Sequence, residues 1–287
     1  MIYNTYPMAL EGSRPGAKLT VYIQEESAEL AIADRPLVLV CPGGAYAFTS
    51  DREAEPLALQ FLAMGCHAAV LRYSCAPAVF PTALSELAYS VAMIREHAKE
   101  WHVNPSGIIV LGCSAGGHLA ASLGVFWNRE FLAKALGKEH SESGSWKPDG
   151  MILCYPVITS GEFAHRGSFE NLTGEREKEI SELLSAPALE ALSLERQVSG
   201  DTPPAFLWHT FTDDGVPVEN SLLFVSAMHR VDIPAELHVY PCGGHGLSLA
   251  NGLTQNREGY GVQEECASWI SLARVWIEHQ YMDKAAH

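Results

Sequence analysis

The residues best placed to do chemistry are a serine and the glycines that flank it. Gly112-Cys113-Ser114-Ala115-Gly116 follows the apolar, β-branched run Ile108-Ile109-Val110-Leu111 and precedes a small, apolar stretch from His118 to Leu123. Strand, tight turn with Ser at its apex, then helix is the setting that a G-x-S-x-G nucleophile elbow requires. A Ser hydroxyl is a weak nucleophile and must stand exposed, where a base can take its proton. The sharp turn that presents it strains the backbone at Ser114. Gly112 and Gly116 remove the side chains that would clash where strand and helix approach. The helix behind Ser114 aims its first N–H groups at a developing oxyanion. The pentapeptide alone is weak, because the same turn could cradle a phosphate. Cys113, beside the apex, reads as a packing residue.

A nucleophilic Ser needs a base, and the base needs an orienting acid. The chain has twelve His. His209 and His238 fall within expected strands, His97, His102 and His229 in or at the ends of expected helices, and His118 on the elbow helix. His245 stands apart, in Pro241-Cys242-Gly243-Gly244-His245-Gly246 after an expected strand, with glycines that leave its ring room to swing over Ser114. The acid comes from Thr212-Asp213-Asp214-Gly215-Val216-Pro217, also after an expected strand. The residue types leave Asp213 and Asp214 open. Gly215 would supply a positive φ in that turn, and Pro217 suits a first helical turn. A third cluster, Pro42-Gly43-Gly44-Ala45-Tyr46, follows the buried run 37–41. Glycines at a strand's carboxyl end let backbone N–H groups face a ligand, which makes this loop a candidate oxyanion hole.

These four loops, the Ser114 elbow included, have to be held at one edge of one scaffold. The pattern predicts strands at 19–24 (an edge strand), 37–41, 67–73, 108–111, 150–155, 205–209 and 235–240. It predicts helices at 50–64, with Ser50 or Asp51 as cap and Gly65 at the end, and at 82–101, 217–230 and 259–281. Residues 160–202 turn polar, with short helical patches such as 175–184, and read as an insertion over the site. Strands alternating with helices imply an α/β fold with a mostly parallel central sheet covered on both faces. Ligands of such sheets bind at the carboxyl ends of the strands, where all four loops fall.

The chain has 287 residues, 47% hydrophobic and 18% charged, an ordinary globular composition. No linker or repeat divides it, so one domain over 1–287 is expected. A formal charge of −15 argues against nucleic acid or an anionic membrane as partner. No apolar run is long enough for a membrane span, and no signal-peptide pattern opens the sequence. The seven Cys lie scattered, without C-x-x-C or metal-ligand spacing. They read as reduced thiols, so a cytoplasmic location is expected. The oligomeric state, monomer or homo-oligomer, is left open.

With Pro-Gly-Gly, Gly-Cys-Ser-Ala-Gly-Gly-His, Asp-Asp-Gly-Val-Pro and Gly-Gly-His-Gly in that order, the chain resembles the α/β-hydrolases. It is most similar to the acetyl-xylan-esterase-like and hormone-sensitive-lipase-like esterases, the group that includes BD-FAE and endo-1,4-β-xylanase-like proteins. The resemblance runs from about Thr20 to Ile277 and is closest over 50–56, 114–125 and 216–224. It implies Ser114 as nucleophile and His245 as base. The Asp-x-x-Val-Pro pattern selects Asp213 as the acid. The oxyanion donors it implies are the N–H groups of Gly44 and Ala115, with Gly43 and Ala45 as further candidates. The His-Gly-Gly-Gly of many relatives is Cys41-Pro42-Gly43-Gly44 here. The resemblance further implies a serine esterase acting on short acyl esters, some relatives using acetylated sugars, with a small-molecule ester as partner and no metal or organic cofactor. A prolyl-oligopeptidase-like peptidase shares the Asp loop, but such enzymes carry a large further domain, and the stretch before strand 19–24 is short. A non-catalytic binding protein on the same scaffold typically lacks a triad member, and all three candidates are present here.

Overall fold

The structure, a computed structural model, describes residues 1–30, 32 and 34–282. Eight strands form one sheet: β1 (Ile2–Pro7), β2 (Lys18–Ile23), β3 (Arg35–Cys41), β4 (His67–Arg72), β5 (Val103–Cys113), β6 (Gly150–Cys154), β7 (Ala205–Thr210) and β8 (Ala235–Tyr240). Their spatial order is β1-β2-β4-β3-β5-β6-β7-β8. The β1–β2 and β2–β4 pairs are antiparallel, and every later pair is parallel. The helices are α1 (Glu55–Ala63), α2 (Thr82–Glu96), α3 (Ala115–Phe126), α4 (Glu130–Ala135), α5 (Arg166–Thr173), α6 (Glu177–Leu184), α7 (Ala188–Ala191), α8 (Glu219–Arg230) and α9 (Trp269–Tyr281). This is the expected α/β-hydrolase architecture.

Alternation along the strands builds two cores, because successive side chains point to opposite faces. Leu37, Leu39, Ile108 and Val110 pack with Leu84, Leu87 and Val91 of α2, Leu119 and Leu123 of α3, and Phe224 and Met228 of α8. Val38, Val40, Ile109 and Leu111 pack on the other face with Leu57 and Phe61 of α1 and with Trp269, Trp276 and Ile277 of α9. Burying each such aliphatic side chain contributes about 1.5–3 kcal/mol. Every residue of α3 is buried, which explains why its sequence lacks a polar face.

Several expectations change. The 19–24 strand is interior, because Ile2–Pro7 pairs with it as the true edge strand. With only one face half covered, β1 carries no apolar run for periodicity to find. The helix expected at 50–64 is split: a one-turn 3₁₀ helix at Asp51–Glu53 precedes α1, and Ser50 makes no side-chain cap. Gly65 does end that helix, at φ +90°. The helix expected at 82–101 ends at Glu96. The one expected at 259–281 begins at Trp269, since Asn256 Oδ1 accepts the N–H groups of Glu258 (3.0 Å) and Tyr260 (2.8 Å) and closes a turn instead. Residues 160–202 hold α5, α6 and α7, and their apolar residues Phe169, Leu172, Ile180, Leu192 and Leu194 belong to the α2-side core. Among the described residues, no helix is long and apolar enough to cross a membrane.

Two histidines are built into the interior as neutral rings. His67 Nδ1 accepts the Gln24 N–H (3.1 Å) and Nε2 donates to the His102 carbonyl (3.1 Å). His118 Nδ1 accepts the Tyr46 hydroxyl (3.0 Å) and Nε2 donates to the Leu192 carbonyl (3.0 Å). Burial pushes both rings down to about 4. An unfolded His titrates near 6.5, so between these values the unfolded chain binds the extra protons. The stability they contribute is complete above about pH 6.5 and is lost as pH falls towards about 4. The melting temperature followed by circular dichroism should therefore drop over that interval. The drop should be shallower in His118→Gln, which keeps an acceptor and a donor without a titrating ring.

Candidate active site

Ser114 sits at the junction of β5 and α3 with φ +55° and ψ −120°, the strained conformation the motif anticipates. Close contact explains the glycines around it. A Cβ on Gly112 would overlap the Gly116 carbonyl, and one on Gly116 would overlap the carbonyls of Cys41 and Pro42. The turn is anchored by Ser114 N–H to the Cys154 carbonyl (3.0 Å) and by Val157 N–H to the Ser114 carbonyl (3.0 Å). One expectation fails here: Ser114 is only 8% exposed, because it lies on the floor of the site with His245 over it. Cys113 is buried between the sheet and its covering layer, and burial raises its thiol well above the ordinary range. That environment disfavours the reactive thiolate.

The structure brings together Ser114, His245 and Asp213, which lie on three separate strand-end loops. Ser114 Oγ donates to His245 Nε2 at 2.7 Å, and His245 Nδ1 donates to Asp213 Oδ2 at 2.8 Å. Asp213 Oδ1 accepts the N–H groups of Gly215 (2.9 Å) and Val216 (2.8 Å). Asp214 is exposed and makes no hydrogen bond to His245. Gly215 is not needed for a positive φ, as expected above; a Cβ there would meet the His245 ring at 3.0 Å, so its role is to admit that ring. The His245 loop is also less free than its glycines suggest. Tyr260 Oη donates to the His245 carbonyl (2.6 Å), and Thr210 and Thr212 hydroxyls donate to the Gly243 carbonyl (2.9 and 3.0 Å).

Sequence reasoning set His209 aside as a strand residue, yet its ring reaches the acid. His209 Nε2 donates to the Val216 carbonyl (2.9 Å) and lies 3.3 Å from Asp213 Oδ2, while Nδ1 accepts the Ser221 hydroxyl (2.8 Å). Burial alone would raise the Asp213 carboxyl. Hydrogen bonds from His209 and His245 outweigh it and hold the group well below the ordinary carboxylate range. The signal available was position: His209 lies at the carboxyl end of β7, four residues before Asp213. His165, in the polar insertion, is a second residue missed; its ring is pushed down by burial and by the nearby His245.

The loop after β3 rests directly on the elbow. A Cβ on Gly43 would come within 3.0 Å of the Ser114 Cβ. Gly43, however, is not a free donor. Its N–H is committed to the buried Glu53 Oε2 at 2.9 Å, which removes it from the oxyanion candidates. The N–H groups of Gly44, Ala45 and Ala115 have no hydrogen-bond acceptor among the described residues. Ala115 opens α3, so its N–H has no intrahelical partner and lies at the positive end of the helix dipole. Asn171 of α5 donates to the Ala45 carbonyl (2.9 Å) and so ties the insertion to this loop. The arrangement can move a proton from a hydroxyl to an imidazole and hold negative charge beside it, the two requirements of acyl transfer.

The BD-FAE family matches residues 20–228, a span that includes Ser114 and Asp213 and stops short of His245. The chain is 36% identical over 221 residues to endo-1,4-beta-xylanase B of Butyrivibrio fibrisolvens, which covers 76% of this chain and 33% of that protein. It is 27% identical over 233 residues to an acetylxylan esterase of Xylanibacter ruminicola, covering 80% of this chain and 44% of that one. The chain thus spans about a third of the first relative and under half of the second. Among solved structures, the acetyl ester-xyloside bifunctional hydrolase of Caldicellulosiruptor lactoaceticus is 34% identical with a TM-score of 0.77, over 94% of this chain and 90% of that one. The carboxylesterase Cest-2923 of Lactobacillus plantarum is 27% identical with a TM-score of 0.80, over the whole of both chains.

The two aspartates differ enough in setting to be told apart by kinetics. Asp213→Asn should strand His245 in the wrong tautomer and lower kcat by roughly 10³- to 10⁴-fold. Asp214→Asn, in solvent, should cost no more than about tenfold on the same scale. The reverse ranking at equal melting temperature would assign the acid to Asp214.

Proposed function

Because the chain belongs to the BD-FAE family of esterase-like α/β-hydrolases, we propose that it is a serine ester hydrolase acting through Ser114, His245 and Asp213 on short acyl esters, O-acetylated sugars among them. The observation that carries this reading is the continuous proton path Ser114 Oγ–His245 Nε2, His245 Nδ1–Asp213 Oδ2, set in a strained elbow. His245 Nε2 takes the Ser114 proton as Oγ bonds to the ester carbonyl carbon. The oxyanion that forms is held by the N–H groups of Ala115 and of Gly44 or Ala45. Collapse expels the alcohol, which takes its proton from His245. A water then repeats the sequence on the acyl-enzyme, with His245 as base, and frees the acid and Ser114. Asp213, held anionic, stabilises the imidazolium at both stages.

Two features support a short acyl group. The acetyl-ester hydrolases it resembles act, by their names, on acetyl esters. Most apolar residues of 160–202 are taken up by the core, and the exposed Leu183 and Leu189 are too few to make a long apolar face for a fatty chain. Each methylene that found such a face would gain about 0.8 kcal/mol.

Ser114→Ala should retain the melting curve and lose at least about 10⁴-fold in kcat on p-nitrophenyl acetate, together with labelling by a fluorophosphonate. An active Ser114→Ala would sink the reading. kcat/KM should fall from acetate to octanoate, and acetylated xylose or xylan fragments should release acetate. A kcat/KM that keeps rising to octanoate would remove the short-acyl assignment.

A further inference from the structure

The loop after β3 and the His245 loop share a buried acid that the proton path does not use. Glu53 ends the 3₁₀ turn Asp51–Glu53 and is 4% exposed. Among the described residues it has no ion-pair partner, although Arg52 is its neighbour; the Arg52 Nε donates instead to the Thr254 carbonyl. A glutamate is rarely buried unless it is paired, and an unpaired one is costly to keep. Its two oxygens are nonetheless both engaged by donors. Oε2 accepts the Gly43 N–H at 2.9 Å and Oε1 accepts the Tyr155 hydroxyl at 2.7 Å.

Each donor leads to part of the site. The Pro42–Gly43 peptide is held at both ends, its carbonyl by the Tyr73 hydroxyl (2.7 Å) and its N–H by Glu53. The peptide that follows carries the unengaged N–H of Gly44, at φ +131°. Two consecutive glycines have no side chains to fix their orientation, so the direction of that N–H is set by the hydrogen bonds on either side of Gly43: its carbonyl accepts the Ser50 N–H (2.9 Å) and its N–H donates to Glu53. Tyr155 stands just beyond β6, buried. Its hydroxyl accepts the N–H of Ser248 at 2.9 Å, three residues after His245. Its ring meets the His245 ring edge-on, 5.3 Å between centroids at 77°. One carboxylate therefore reaches the oxyanion loop directly and the His245 loop through a single phenol.

We propose that Glu53 is a positioning residue for acyl transfer, aiming the Gly44 N–H at the oxyanion and, through Tyr155, setting His245 over Ser114. The proposal rests on the serine-hydrolase reading above. It also explains the residue type. Both partners of Glu53 are donors, so an amide of the same shape would present an NH₂ group to one of them. With Gln the Gly43 N–H or the Tyr155 hydroxyl loses its acceptor, while volume and fold are retained.

The test compares Glu53→Gln, Tyr155→Phe and the double variant with the wild-type protein, reading kcat and KM on p-nitrophenyl acetate, melting temperature, and inhibition by phenylboronic acid. The boronate adduct on Ser114 would carry its oxygen where the oxyanion forms. Glu53→Gln should lower kcat by about 10- to 100-fold, less than the roughly 10²- to 10³-fold of deleting an oxyanion donor, with KM within about threefold. Boronate affinity should weaken in parallel. Tyr155→Phe should lower kcat about fivefold to tenfold, and the double variant should be no worse than Glu53→Gln, because the two act in one network. A folded Glu53→Gln with wild-type kcat and boronate affinity overturns the proposal, as do a change in KM alone and losses that multiply in the double variant. If Glu53→Gln does not fold, Tyr155→Phe decides: a fall in kcat at constant KM supports the proposal, and wild-type kcat overturns it. An active Ser114→Ala would remove the serine-hydrolase reading itself. An inactive Ser114→Ala beside a fully active Glu53→Gln would remove only the role of Glu53.

Discussion

The site depends on one close approach of three backbones. At Ser114 the end of β5, the first turn of α3 and the loop after β3 meet with no room for a side chain, and Gly112 and Gly116 stand where any Cβ would strike a carbonyl. The contact forces Ser114 to a positive φ, a local strain of about 1–3 kcal/mol. Hydrogen bonds to Cys154 and from Val157 hold it there. The same contact brings the N–H of Ala115 and the glycine loop beside the hydroxyl. The strain, the placement of the Ser114 hydroxyl and the unengaged N–H groups beside it are therefore consequences of one geometric fact. Loosening the contact at either glycine would disturb all three.

Charge is arranged around that contact with unequal burial. Asp213 is anionic with no exposed side-chain surface, which is tolerable because two N–H groups and two imidazoles surround it. His245 is about a quarter exposed, so its ring can exchange protons with a substrate or water. Asp213, buried beneath a partly open His245, stays ionised while the ring keeps access to solvent.

The insertion at 160–202 belongs to this architecture. Most of its apolar residues extend the core on the α2 face, Asn171 donates to the Ala45 carbonyl, and the Leu192 carbonyl accepts from the ring of His118 of α3. Its polar character comes from the face left in solvent. The segment is thus tied both to the loop after β3 and to the helix behind Ser114.

The sequence by itself determined most strands of the sheet and the tight strand–turn–helix that holds Ser114. Runs such as 37–41 and 108–111 are apolar without interruption because their strands are buried on both faces, and the glycines around Ser114 record a steric requirement that only one turn geometry imposes. Both are local facts, carried by residues adjacent in the chain. Pairing and contact between distant segments were decided by the tertiary structure alone. The edge strand β1 is recognisable only by its partner β2. Gly43 looks like a free donor until Glu53 is seen beneath it, Gly215 like a flexible turn until the His245 ring is seen against it, and His209 like a core residue until it is found 3.3 Å from Asp213. Asp213 itself could be preferred to Asp214 by resemblance, but neighbours in a loop point different ways, and which one faces His245 is fixed by how that loop packs. A hydrogen bond or close contact has no signature in either residue alone, because its energy depends on a distance that the fold sets.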